Sequence, residues 1–354
     1  MEAEEILRNA VESKASDIFL VPGLPLSYKI NGKIEHQTPE KMTLLMVQEV
    51  ITQIYKIAKE RDLAGVENTG DDDFSFAIPG LSRFRANVFK QRGSLGAVLR
   101  IITFTLPRYD QLGIPQTVID ISKETKGFVL VTGSAGSGKS TTLSCIIDSI
   151  NHSRNAHIIT IEDPIEYLHL HDKCVITQRE IGLDTHGYDS AMRAALRQAP
   201  DVILLGEMRD YETIRTAMTA AETGHLVIST LHTIGAANTI DRIIDTFPPN
   251  QQQQIRVQLS MVLRAVVSQQ LLPRIDGKEV PAFEIMFLNN AIRNMIRESK
   301  VHQIDSVIQS SMNENMISMD NSLMNLYKEN KITKETVLTY SSNPELLEKR
   351  MSRG

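Results

Sequence analysis

Tryptophan is missing from this 354-residue chain, and cysteine occurs only as Cys145 and Cys174. Two thiols cannot build a disulfide framework or a four-cysteine zinc site, and such scarcity points to a reducing compartment. No run of about 18 uncharged apolar residues occurs, so the sequence holds no helix fit to span a bilayer. The first five residues are acidic and lack the basic and apolar regions of a signal peptide, which predicts a chain that stays where it is made. Basic residues are in short supply too: 38 Lys and Arg stand against 43 Asp and Glu, a net charge of −5. A nucleic-acid binder would carry a basic domain with a pI above about 9, or a basic groove lined with aromatics, so no nucleic-acid partner is expected. What remains, 42% hydrophobic and 23% charged residues, is the composition of an ordinary folded protein. At roughly 150 residues per domain the length predicts two domains.

Hydrophobic periodicity divides the chain. Residues 1–102 read as a mixed α+β domain of two helices and a strand meander. Ile6, Leu7, Ala10 and Val11 form a helical stripe, and a second helix fits Leu44 to Arg61. Asp17 to Val21 and Gly96 to Ile102 read as strands. Asn31-Gly32 marks a hairpin between Leu26–Ile30 and Lys33–Glu35, because both turn residues tolerate φ > 0. Asp73–Ile78 and Arg83–Phe89 pair around Pro79-Gly80, with Arg83, Arg85 and Asn87 on one face and Phe84, Ala86 and Val88 on the other. Residues 103–115 carry two prolines and no periodicity, and read as an interdomain linker. Residues 116–290 change character. Phe128–Thr132, His157–Ile161, Val202–Leu205 and Leu226–Thr230 are apolar runs with helical segments between several of them, the pattern of a parallel sheet covered on both faces. Pro281–Leu288 adds one strand, and residues 291–354 read as helical, over Ala291–Glu298, Val301–Met312 and Asp320–Glu329.

Gly133 to Ser140 satisfies G-x-x-x-x-G-K-[ST] between a predicted strand and a predicted helix, the context this phosphate-binding motif needs. The backbone N–H groups of Ser134, Ala135, Gly136, Ser137 and Gly138 would curl around the β-phosphate of ATP. Lys139 would reach the β- and γ-phosphates, Ser140 would hold Mg²⁺, and Thr141 continues the helix N-terminus, whose field adds to the site. Hydrolysis also needs acids from neighbouring strand ends. Val202–Leu205 leads to Glu207, flanked by Arg209 and Asp210, and Glu207 reads as a Walker B acid that contacts Mg²⁺ through water. His157–Ile161 leads to Glu162, Asp163 and Glu166; three carboxylates beside a polyphosphate hint at water activation, against the plainer reading of a solvated acidic loop. His225 and His232 bracket the strand Leu226–Thr230, where sensing of phosphate or of a neighbouring subunit competes with a structural role. Arg83, Arg85 and Arg100 fit either a solvated strand face or a charge-neutralising set supplied from another domain.

Taken in order, Gly133 to Thr142, Thr160 to His169, Arg197 to Asp210 and Gly224 to His232 resemble the Walker A, aspartate-box, Walker B and histidine-box segments of the secretion ATPases of type II secretion and type IV pili. Ala291 to Glu298 is similar to the C-terminal signature of the pilus-retraction branch of that family, and the absence of a four-cysteine zinc site sets the chain apart from the extension branch. The resemblance implies a PAS-like N-terminal domain, a RecA-like P-loop core with C-terminal helices, and a cytoplasmic homohexamer. It implies docking on the inner-membrane platform protein of the pilus machine, at the inner face of the membrane, with an accessory retraction ATPase as a further partner. It implies Glu166 as general base, Glu207 as Walker B acid, Arg83, Arg85 and Arg100 as phosphate-sensing arginines, and His232 as a member of the catalytic set. Coupling of nucleotide state to subunit packing would fall to Glu162, Asp163, Arg209 and His225, and retraction to the signature that carries Arg293 and Arg297.

Overall fold

The computed structural model describes residues 2–58, 63–102 and 106–352, which divide into two compact units, Met1–Thr105 and Leu106–Gly354. In the first unit α1 (Ala3–Glu12) precedes a meander of β1 (Asp17–Leu20), β2 (Pro25–Ile30) and β3 (Lys33–Lys41). Then come α2 (Leu44–Ile57), α3 (Ala64–Thr69) and a second meander of β4 (Asp71–Ile78), β5 (Ser82–Gln91) and β6 (Ser94–Ile102). The meanders join through β1 and β6 into one antiparallel sheet of order β3-β2-β1-β6-β5-β4, the β-rich, PAS-like arrangement expected.

The hairpin turn at Asn31-Gly32 has φ of 51° and 79°, as its residue types require, but its second strand runs six residues beyond Glu35. The helix expected to reach Arg61 ends at Ile57; residues 59–62 lie outside the described residues. α3 is an addition, a six-residue helix too short to leave a periodic signal. Leu99, Phe84, Ala86, Val88, Ile18 and Leu20 bury one sheet face against α1 and α2, while Arg83, Arg85 and Asn87 lie on the opposite face of β5.

The second unit begins earlier than the expected boundary at 116. Residues 103–105 lie outside the described residues, but Leu106, Tyr109 and Leu112 pack on the core of this unit and Ile114 is buried there, so most of the expected linker is structured by its own apolar side chains. After α4 (Gln116–Ile119) the chain alternates: β7 (Gly127–Thr132), α5 (Lys139–Ser153), β8 (His157–Glu162), β9 (Val175–Glu180), α6 (Tyr188–Ala195), β10 (Val202–Leu205), α7 (Tyr211–Glu222), β11 (Leu226–Leu231), α8 (Ala236–Asp245) and α9 (Gln252–Val262). A hairpin, β12 (Leu263–Pro273) and β13 (Glu279–Phe287), and five helices complete the unit: α10 (Asn290–Arg297), α11 (Ile304–Ser310), α12 (Met319–Lys328), α13 (Lys334–Tyr340) and α14 (Pro344–Met351).

The sheet order is β13-β12-β7-β11-β10-β8-β9, parallel except for β13. Successive residues of a strand face opposite sides, and this alternation produces two cores. Phe128, Leu130, Ile203 and Leu205 pack against α6 to α11, while Val129, Val131, Val202 and Leu204 pack on the other side with α5 and the 106–119 segment. Ile292 and Ile296 of α10 and Ile304 of α11 belong to the first of these cores, so the expected boundary at 291 is no break in packing. Only α12 to α14 form a satellite core, on the hairpin end of β12 and β13. No helix among the described residues is long and apolar enough to cross a membrane.

Candidate active site

In a parallel sheet the loops that leave the strands all emerge at one edge, and ligands of such sheets sit at the carboxyl ends. Thr132 of β7 pairs with Leu231 of β11, and Leu205 of β10 with Ile161 of β8. The residues just beyond these, the P-loop, His232, Glu207 and the acidic loop, therefore emerge side by side. They line one cavity of about 400 Å³ together with Ala135 to Thr141, Glu162, Asp163, Glu166 and Arg209. Ser134 lies at the mouth of the loop, where its carbonyl accepts a hydrogen bond from Lys139 Nζ at 2.8 Å, as does that of Gly133.

The loop is braced from below by a residue that sequence reasoning missed. Gln269 on β12 is buried, its Oε1 accepts the Thr142 hydroxyl at 2.7 Å, and its backbone carbonyl backs onto Gly133. Gly133 has φ of 144°, and a Cβ there would meet the Gln269 carbonyl oxygen at 2.2 Å. Gly133→Ala is accordingly expected to destabilise the protein by more than about 2 kcal/mol, because backbone rather than a flexible side chain must move. A fall in the urea midpoint checks this. The Ser137 hydroxyl is buried against Gly133 and has no hydrogen-bond partner among the described residues.

Charge in the cavity is arranged as a chain. Arg209 Nε donates to Glu207 Oε1 at 2.7 Å, His232 Nε2 lies 3.5 Å from Glu207 Oε2, and His232 Nδ1 lies 3.5 Å from Lys139 Nζ. A neutral imidazole protonated on Nε2 serves both contacts, donating to Glu207 and accepting from Lys139. Burial pulls the Lys139 ammonium below its usual range, and Glu166 and Glu207 oppose that pull. Glu166 is exposed in the cavity, and among the described residues its carboxylate makes no hydrogen bond or ion pair.

Glu162 is the acid most altered by its surroundings. Burial pushes it up to about 7 despite a 2.6 Å hydrogen bond from Thr160 Oγ1 and a longer one from Gln178. A carboxyl group with a raised native pKa binds a proton that the unfolded chain releases, so its stabilising contribution is full below about 4.5 and is lost as pH rises through about 7. Glu162→Gln should flatten that part of the stability profile; urea midpoints at pH 5 and pH 8, compared with wild type, check it. Tyr188, also in the cavity and also unforeseen, lies against Gly206, and burial raises its phenol pKa, with Glu207, Asp163 and Glu162 adding to the rise.

Two groups of expected residues lie elsewhere in this unit, and a third belongs to the first unit. His225 stands at the opposite end of β11 from the cavity, where its Nδ1 lies within 3.0 Å of the Ala220 carbonyl and 3.2 Å of the Thr223 hydroxyl, at the C-terminus of α7. A strand of six residues separates it from His232. Arg293 and Arg297 are on α10, whose Ile292 and Ile296 face the core, and Arg297 hydrogen-bonds Asn294. Arg83, Arg85 and Arg100 are in the first unit. Arg85 and Arg100 lie directly opposite each other on β5 and β6, a repulsive pair offset by aspartates: Asp73 takes two hydrogen bonds from Arg85, at 3.2 and 2.9 Å, and Asp17 takes one from Arg100 at 3.1 Å.

The model of one protein family, described as type II/IV secretion system protein, matches residues 2–343. The chain belongs to that family. It is 43% identical over 345 residues to the type IV pilus retraction ATPase PilT of Pseudomonas aeruginosa, covering 98% of this chain and 99% of the relative. It is 38% identical to the type IV pilus ATPase PilU of the same organism, over 97% of this chain and 89% of that one. A crystal structure of the pilus retraction motor PilT with bound ADP superposes with a TM-score of 0.89 at 45% identity, covering 99% of both chains. That neighbour is a structure with ADP bound.

Proposed function

We propose that this chain is the ATP-hydrolysing motor that retracts type IV pili. The observation that carries the reading is likeness over the full length to a pilus retraction ATPase, in a chain whose P-loop and acids converge on one cavity. The chain is an ATPase. ATP lies on the P-loop with its phosphates against the N–H groups of residues 134 to 139 and the Lys139 ammonium. Ser140 and Glu207 offer the hard oxygen donors that suit Mg²⁺. Among the described residues no cluster of three or more His, Cys, Asp and Glu could hold a metal by itself. When bound, that ion neutralises charge on the phosphates.

Glu166 takes the proton of the attacking water. Glu207 is held in place by Arg209 and His232, so a change at the phosphates is felt along the chain Lys139, His232, Glu207, Arg209. Arg83, Arg85 and Arg100 neutralise charge that develops at the γ-phosphate. Glu162 and Asp163 transmit the change to the packing of subunits, and α10 with Arg293 and Arg297 carries retraction. The motor is a cytoplasmic homohexamer seated on the inner-membrane platform protein of the pilus machine. Binding and release around the ring turn the platform so that pilins return to the membrane.

A second reading, an accessory retraction ATPase, is favoured by the likeness to PilU. Turnover by the purified chain, with light scattering for its mass, tests the shared part of both readings. ATP hydrolysis by a six-chain ring is expected. A monomer that binds nucleotide without turning it over would make the chain a switch, and stimulation by single-stranded DNA would make it a nucleic-acid motor.

A further inference from the structure

Glu284 is 7% exposed, on β13 directly opposite Ser268 of β12. A carboxylate so deep needs compensation, and no cationic side chain among the described residues bonds to it. Two helix N-termini do. Oε1 accepts the N–H of Ala236 at 2.8 Å, and Oε2 accepts the N–H of Met319 at 3.4 Å. Ala236 is the first residue of α8 and Met319 the first of α12, both helices of ten residues. The first N–H groups of a helix have no partner within it, and its N-terminus carries partial positive charge, so one carboxylate serves two helices, beside Ser318, the N-cap of α12, which accepts the N–H of Asn321 at 3.3 Å. Burial raises its pKa, and the bond from Ala236 works against the rise.

The two helices lead to different places. α8 begins four residues after His232, and its N-cap Gly235 donates its N–H to Ser268 Oγ at 2.9 Å, next to Gln269 beneath the P-loop. α12 opens the satellite core of α12 to α14, and just before it Ile317 is bridged to Ile285 of β13. Between the two lies a cavity of about 250 Å³ lined by Ile234, Asn238, Glu284, Asp320 and Ser342, which leaves the loop after His232 room to shift.

We infer that Glu284 is a positioning residue which, as the shared N-terminal cap of α8 and α12, carries movement of the His232 loop to the C-terminal helices. A hydrogen bond weakens steeply with distance and misalignment. The bond to Met319 is already the longer of the two, so a shift of α8 that draws the carboxylate along alters the hold on α12 first. The inference rests on the reading of His232 as part of the nucleotide site.

Hydrogen–deuterium exchange of the full chain, with and without a non-hydrolysable ATP analogue and Mg²⁺, tests it. In wild type the analogue is expected to protect residues 134–140 and also to change exchange at residues 319–322. In Glu284→Gln, whose NH₂ group cannot accept the second N–H, protection of the P-loop should remain and the response at 319–322 should be lost. A merely structural cap would instead raise exchange at 319–322 equally with and without nucleotide. An unchanged response in Glu284→Gln, or none at 319–322 in wild type, overturns the inference, the second whether or not the variant folds. Absence of protection at the P-loop would overturn the nucleotide reading itself.

Discussion

Glu166→Gln is expected to lower ATP turnover of the purified chain by about 10² to 10⁴-fold, the usual worth of a positioned general base, with little change in nucleotide affinity. Two glutamates leave the end of β8, and their surroundings separate them. Glu162 is crowded by protein, raised to about 7 and hydrogen-bonded to Thr160. Glu166 lines the same cavity with its oxygens uncommitted to other protein groups among the described residues. Glu207, on the neighbouring strand end, is tied to Arg209 and faces His232, which suits it to hold rather than to accept a proton. The substitution keeps size and removes the basic oxygen, so steady-state kinetics should give a fall in kcat with KM nearly constant. Wild-type turnover in Glu166→Gln would return the role of base to Glu162 or Glu207.

Lys139→Ala should weaken ATP binding by about 10² to 10⁴-fold, the loss of two charge-assisted hydrogen bonds at roughly 1.5–3 kcal/mol each. The ammonium sits at the rim of the loop on the carbonyls of Gly133 and Ser134, within reach of His232. Its burial lowers its pKa, and the facing carboxylates of Glu166 and Glu207 counter that shift. Removing it therefore leaves two acids facing a polyphosphate with one cation fewer. Titration with a fluorescent nucleotide measures the effect, and an unchanged Kd would show that the phosphates are bound elsewhere.

Much of this site is legible in the sequence because its chemistry is local there. The glycines, Lys139 and Ser140 sit in one motif, and each acid comes after an apolar run that ends where the sheet ends, so the pattern alone places Glu162, Asp163, Glu166 and Glu207 on one edge. What escapes is the support from the far side of the P-loop. β12 succeeds α9 with no Gly or Pro between Val262 and Leu263, so nothing punctuates the change from helix to strand and the strand is not expected. Gln269 and Ser268 go unnoticed with it, although a glutamine pair inside the apolar run of residues 263–272 is an anomaly that marks a polar task.

β9 escapes for the opposite reason. Its half-exposed Thr177, Gln178 and Arg179 give an edge strand little apolar pattern to detect. The late helices α13 and α14 are seven and eight residues long, too short for a clear period, and only their N-caps, Thr333 and Asn343, could signal them. For His225 the sequence gives the end of the strand but no task, because adjacency to a strand does not say what lies at that end. It precedes β11 while His232 comes after it, and in a parallel sheet only the second position reaches the carboxyl edge.

The central claim is that ATP turnover by this chain draws pili back. Counting surface pili and surface motility in a deletion strain, complemented with wild type or with Lys139→Ala, tests it most directly. Excess pili without movement, corrected by wild type and not by Lys139→Ala, is the predicted result. Loss of pili in the deletion strain would instead assign the chain to assembly and contradict the account.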